Sequence, residues 1–264
     1  MDIIQRNFLR LLRCGAFNKR EPLEPMSAWK WDKLYQVSRI HGVTPWIAEG
    51  LLKCKDDFFL QLKPELWKLF ENDTTDTAEE TASQRLTNPL LNSKLRQLAG
   101  EAGADDVTFN LLQRLISIAR NILTQGISLR QLITLGTYLT TTRDPIEYDV
   151  LKIWIRRLGM ERMARLEGAL LVRLFNFSER QIPFAESPGD NDIDHVVQDI
   201  FHQTEKNAAD WYFTQGKSIF VRSSDSDAMM WHVRHSAKYM RYYPGEAVTN
   251  FMSNFAHSLS HIEE

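Results

Sequence analysis

The sequence predicts an all-α fold, roughly ten helices in an antiparallel, bundle-like assembly with at most one short strand or hairpin. Three observations lead there. Through most of the chain, apolar residues recur at the three- and four-residue spacing that lines one face of a helix. Glycine and proline, 12 and 9 of 264 residues, fall below their usual share, so turns are sparse and long helices are favoured over many short strands. The composition, 43% hydrophobic and 25% charged, is that of a globular protein, and a chain of this length can bury about three quarters of its unfolded surface.

The first helix is expected over residues 3–14, with Ile4, Phe8 and Leu11 on one side and Arg6, Arg10 and Arg13 opposite. A short cationic amphipathic helix binds a membrane weakly on its own, so docking onto the body of the protein is expected. The same arginines break the apolar run before an export signal can form. Pro22 and Pro25 then separate a helix over 28–41, opened by Ser27, from what precedes it; helices over 44–53 and 57–70 follow. Residues 72–84 carry no large apolar side chain and read as an exposed linker or excursion.

Beyond residue 105 the pattern strengthens. Leu111, Leu115, Ile118 and Ile122 line one face over 106–125, Gly126 closes that helix, and Ser128 with Gln131 forms a capping box for the next. That helix carries Leu129, Leu132, Ile133, Leu135 and Leu139. Asp144, Pro145 and Glu147 are placed as N-cap, N1 proline and N3 acid of a helix with the stripe Ile146, Val150, Ile153, Trp154 and Leu158, ended by Gly159. Residues 160–176 resume through Met163, Leu166, Leu170, Leu171, Leu174 and Phe175. Further helices are expected at about 192–204, 226–242 and 246–262, the last with Val248, Phe251, Phe255, Leu259 and Ile262 on its core side. The stretch 216–221 is the one strand-like piece. The division expected is an N-terminal helical region (1–71), a linker or excursion (72–105) and a C-terminal helical domain (106–264).

The net charge, 32 basic against 34 acidic side chains, gives no global field toward nucleic acid or an anionic membrane. Cys14 and Cys54 are too few for a disulfide framework and too far apart for a CxxC redox or zinc pair, which places the protein in a reducing cytoplasm. Cys14 has arginines nearby, but a small packing residue at a helix end is its expected role. No stretch reaches the length of a membrane-spanning helix.

Motifs for chemistry are sparse. Asp192-Ile193-Asp194, within residues 189–197, has the D-x-D form that holds Mg²⁺ in phosphoryl chemistry, yet the acids stand where a helix N-terminus favours them. The string fails as an EF-hand loop, Gly216-Lys217-Ser218 fails as a P-loop, and no GxSxG elbow occurs. His232 with His235 and His257 with His261 have metal-compatible spacings but no completing ligand. The densest positive stretch is Lys152, Arg156, Arg157, Arg162, Arg165 and Arg173, with Trp154 among them. Arg156, Arg157, Arg162 and Arg165 are the candidate binding surface, for phosphate or nucleic acid as one reading and a solvated helix face as the other.

Several stretches resemble the helical parts of the large uncharacterised bacterial nucleotidyltransferase family: FLRLLRCG (8–15), WDKLYQVSRIHGVTPWIAEGL (31–51), ILTQGISLRQLITLGTYL (122–139), WIRRLGMERMARLEGALLVRLFNF (154–177), IPF (182–184) and VRHSAKYMRYYPGEAV (233–248). The resemblance implies that an α/β catalytic core with a lysine-glycine turn and a paired-acid motif would lie between the second and third stretches. Residues 72–105 are too few for one and contain neither feature, so no catalytic residue is carried over. The expectation is a non-catalytic helical protein that needs no cofactor and binds a protein partner or small ligand. The alternatives are a divergent Mg²⁺-dependent nucleotidyltransferase using Asp190, Asp192 and Asp194, or an anion binder using the 152–173 stretch.

Overall fold

The computed structural model describes residues 1–73, 85–103, 106–185, 193–201 and 238–260, with side chains as far as residue 252. Every regular element among the described residues is helical, in agreement with the all-α expectation. The strand expected at 216–221, and the helix expected over 226–242 as far as residue 237, lie outside them.

Helix α1 (Ile3–Phe17) starts at a reciprocal cap. The Asp2 carboxylate accepts the Gln5 N–H at 2.8 Å while the Gln5 amide oxygen accepts the Asp2 N–H at 3.1 Å. It ends at Asn18 in the left-handed region (φ 57°). It outruns its expected end because Gly15 remains helical and serves a crossing. A Cβ on Gly15 would lie 1.8 Å from the Trp46 carbonyl oxygen, and one on Gly50 would lie 2.2 Å from the Leu11 carbonyl oxygen. Only glycine lets α1 approach α3 (Thr44–Lys53) so closely.

Between them, α2 (Ala28–Ile40) starts at Ser27, whose hydroxyl makes no capping bond. Helix α4 spans Pro64–Asn72, not the expected 57–70. Pro64 disfavours helix in the residue before it, and Lys63 is extended (φ −69°, ψ 145°). Asp57 organises the irregular stretch instead, accepting the N–H groups of Phe59 (2.9 Å) and Leu23 (3.1 Å).

The interval 72–105, read as a linker or excursion, holds α5 (Pro89–Ala102). Asn88 caps it through the N–H groups of Leu90 and Leu91, and Pro89 stands at its first position. Only Leu95 and Leu98 are fully buried on it, which is why its periodicity is faint in the sequence. Residues 74–84 and 104–105 lie outside the described set.

Helix α6 (Val107–Thr124) is central. Leu111, Leu115, Ile118 and Ile122 are buried as expected, and so are Leu112, Ile116, Ala119 and Leu123, so two faces are covered. It packs on α5, α7 (Leu129–Thr141), α8 (Tyr148–Leu158), α9 (Glu161–Phe175) and the C-terminal helix Pro244–Ser260. Ser128 caps α7 by accepting the Gln131 N–H at 3.3 Å. Helix α8 begins three residues later than the Asp144-Pro145 signal suggests, because the Thr108 hydroxyl of α6 takes the Glu147 N–H at 3.0 Å and fixes the entry. Its inner face is Leu151, Trp154, Ile155 and Leu158; Ile153, expected in the stripe, is 51% exposed. Gly159, left-handed at φ 66°, turns the chain into α9, whose six expected core residues are all buried. A 3-10 turn (Glu179–Gln181) and helical residues 193–201 and 238–240 complete the described elements.

One hydrophobic cluster runs from Phe8 to Ala247. Within it the C-terminal helix departs from expectation at Val248, while the side chains of Phe255, Leu259 and Ile262 lie outside the described residues. Tyr243, Glu246, Ala247 and Asn250 face inward, and Val248, expected in the core, is 44% exposed. The two oxygens of buried Glu246 accept the N–H groups of Thr87 (2.6 Å) and Asn88 (3.0 Å) at the start of α5. Asn88 returns its own amide to the Gly245 carbonyl (2.9 Å) and the Thr249 hydroxyl (3.1 Å). Among the described residues no helix is long and apolar enough to cross a membrane.

Candidate functional site

The basic residues singled out above sit on α8 and α9, on either side of the Gly159 turn. The inner faces of those helices are apolar, so their cations are forced outward. Arg156 and Arg157 end α8; Arg162 and Arg165 open α9. The fold adds cations from other segments. Lys94 of α5 donates to the Arg157 carbonyl at 3.2 Å, and Arg162 donates to the Arg241 carbonyl at 3.4 Å. Arg241 in turn lies 4.8 Å over the Tyr242 ring and donates to that hydroxyl at 2.8 Å.

Compensation is partial. Arg157 reaches Glu101 of α5 at 2.9 Å, a pair exposed on both sides and therefore weak. Arg156 is exposed and Arg165 half-buried, and neither has an ion pair among the described residues. Nothing joins Arg156 and Arg165 to each other directly. The stretch is thus divided: Arg157 and Arg162 stand at junctions with α5 and with residue 241, and Arg173 turns to Asp194. Trp154 takes no part. It is buried edge-on against Phe109, centroids 6.0 Å apart, and offers no stacking platform.

The Asp194 carboxylate accepts from Arg173 at 2.8 and 3.0 Å on an exposed flank. Asp190 and Asp192 lie outside the described residues, as do His232, His235 and His261, and nothing is assigned to the His257 side chain. The helix that the acids precede begins at Ile193. Among the described residues no three of His, Cys, Asp and Glu gather within reach of one metal ion.

Four features escape the sequence reading. Glu167 of α9 is fully buried, and neither oxygen has a hydrogen-bond partner among the described residues. Desolvation pushes its carboxyl well above the usual range. Its phase is the available signal, since it shares the buried face with Met163, Leu166, Leu170 and Leu171. Cys14 and Cys54, both buried, bring their sulfurs to 3.5 Å; no local pattern announces that pairing. The Glu246 clamp is likewise a product of tertiary structure. Beside α1, His41 lies between the rings of Phe8 (6.1 Å) and Phe201 (6.3 Å), and burial depresses its imidazole to about 4.

None of the known family models, curated proteins or solved structures matches this chain.

Proposed function

We propose that the protein is a non-catalytic helical binding protein, related to nucleotidyltransferases through the helices it resembles, that takes an acidic group of a protein partner at the corner between α8 and α9. The observation that carries this reading is the incomplete neutralisation of that corner. Arg156 and Arg165 have no ion pair among the described residues, and the fold sets Lys94 and Arg241 beside Arg157 and Arg162. Arginine suits this role because its planar fork engages a carboxylate at two points.

The test is a titration of the full chain with a fluorescent oligoglutamate peptide at several salt concentrations. Binding should weaken steeply with salt and fall at least tenfold in a variant carrying Arg156→Ala, Arg162→Ala and Arg165→Ala. Absent or salt-insensitive binding overturns the surface. Transfer of a labelled nucleotide to any acceptor, lost on Asp192→Ala, overturns the non-catalytic assignment and favours the transferase alternative.

A further inference from the structure

We propose that Cys14 and Cys54 form a redox modification site, a dithiol that closes to an intramolecular disulfide and locks the crossing of α1 on α3. The two sulfurs are 3.5 Å apart in the reduced chain. Their proximity is built by the backbone. Gly15 follows Cys14, Gly50 lies one turn before Cys54, and both glycines are packed against carbonyl groups of the opposite helix. Lys53, beside Cys54, donates to the carbonyls of Cys14 (3.5 Å) and Gly15 (3.3 Å), tying the end of α3 to the same turn of α1. These are the only two cysteines in the sequence, so each has one intramolecular partner.

The co-reactant is a small-molecule disulfide such as oxidised glutathione. One cysteine thiolate attacks a glutathione sulfur, forming a mixed disulfide and releasing one glutathione thiolate. The neighbouring cysteine, as thiolate, attacks the mixed disulfide at the protein sulfur and releases the second. Two protein thiols lose two protons and two electrons, one S–S bond forms, and one glutathione disulfide becomes two thiols. Burial, with Cys14 alongside, pushes the Cys54 thiol up to about 12, so little thiolate is present while the crossing is closed and exchange is slow. Access comes through local opening, since Cys54 stands at the C-terminal cap of α3 with an irregular stretch after it.

The closed loop would span the last turn of α1 and all of α2 and α3. Loop-closure entropy then predicts a melting temperature higher by roughly 5–10 °C. The experiment incubates the reduced, folded full chain with oxidised glutathione, blocks remaining thiols, and maps peptides by mass spectrometry. Free thiols should fall from two to none, with one Cys14–Cys54 cross-linked peptide and no retained glutathione. Two surviving thiols, in a chain that loses both once unfolded in urea, overturn the proposal. So do stable glutathione adducts or disulfide-linked dimers in place of the internal link. An internal link that leaves the melting temperature unchanged or lower overturns the locking role.

Discussion

The cations of α1 and those of α8 and α9 begin from the same sequence pattern, arginines on the outer face of an amphipathic helix, and end differently. On α1, Arg6 grips Glu24 with two bonds (2.6 and 2.8 Å), Arg10 shares that carboxylate at 2.7 Å, and Arg13 pairs with Glu21 at 2.8 Å. Arg13 also donates to the Leu174 carbonyl, and Lys19 to those of Phe175 and Asn176, the acceptors that α9 leaves open at its C-terminus. The N-terminal cations are consumed by the fold. At the corner between α8 and α9, Glu101 is the acid that answers Arg157, and Arg156 and Arg165 have no ion pair among the described residues. A count of positive charges therefore says little about binding; what decides is whether tertiary neighbours supply acceptors.

The most severe break in that contrast is at the helix crossing that seats α1. Gly50→Ala sets a methyl 2.2 Å from a backbone oxygen that no rotamer can move. We expect a loss of at least about 3 kcal/mol and a melting temperature lower by roughly 6–12 °C, read by calorimetry. A neutral result would mean that α1 and α3 are farther apart than described.

Next in size is the interior of α9. Glu167→Met should stabilise the protein by about 1–3 kcal/mol at pH 8, because it removes a buried group that has no hydrogen-bond partner among the described residues. The folded state raises this carboxyl, so its contribution to stability is fully present below the unfolded value near 4.5 and is lost as pH rises toward the folded value. The advantage of the variant should therefore shrink on acidification to pH 4.5. Urea denaturation at both pH values measures it, and equal advantages would show that the carboxyl has a partner.

The smallest effect sharpens the account of α1. The hydrogen bond from Arg6, helped by Arg10, holds the Glu24 carboxyl down at about 2. Its contribution is present above the unfolded value near 4.5 and is lost as pH falls toward 2. Glu24→Gln should flatten the acid limb of the stability curve and leave stability near pH 7 only slightly lower. An unchanged acid limb would assign the acid sensitivity to other carboxylates.

Where periodicity is strong, sequence and structure agree residue by residue. The stripe of α6 and the six core positions of α9 are buried as their spacing predicts. Boundaries depart where one residue overrides the pattern: Pro64 delays α4, and the Thr108 hydroxyl, carried on another helix, delays α8. On the C-terminal helix the pattern misplaces Val248, which is exposed, while Phe251 is half-buried and the Glu246 carboxylate, with two backbone partners, is buried. The basic stretch is visible as composition, but its division among Glu101, Arg241 and Asp194 depends on residues remote in sequence. The cysteine pair is the clearest such case, since a separation of forty positions has no local signature and the glycine crossing, with Lys53 bridging it, brings the sulfurs together.

The Glu246 clamp bears on how the molecule is made. The amide groups that open α5 wait for a side chain synthesised 159 positions later. At ordinary translation speeds, roughly 5–20 residues per second, that interval is on the order of 8–30 s. During it those two donors are met by water alone, so protection of the Thr87 and Asn88 amides should come only after the C-terminal helix docks.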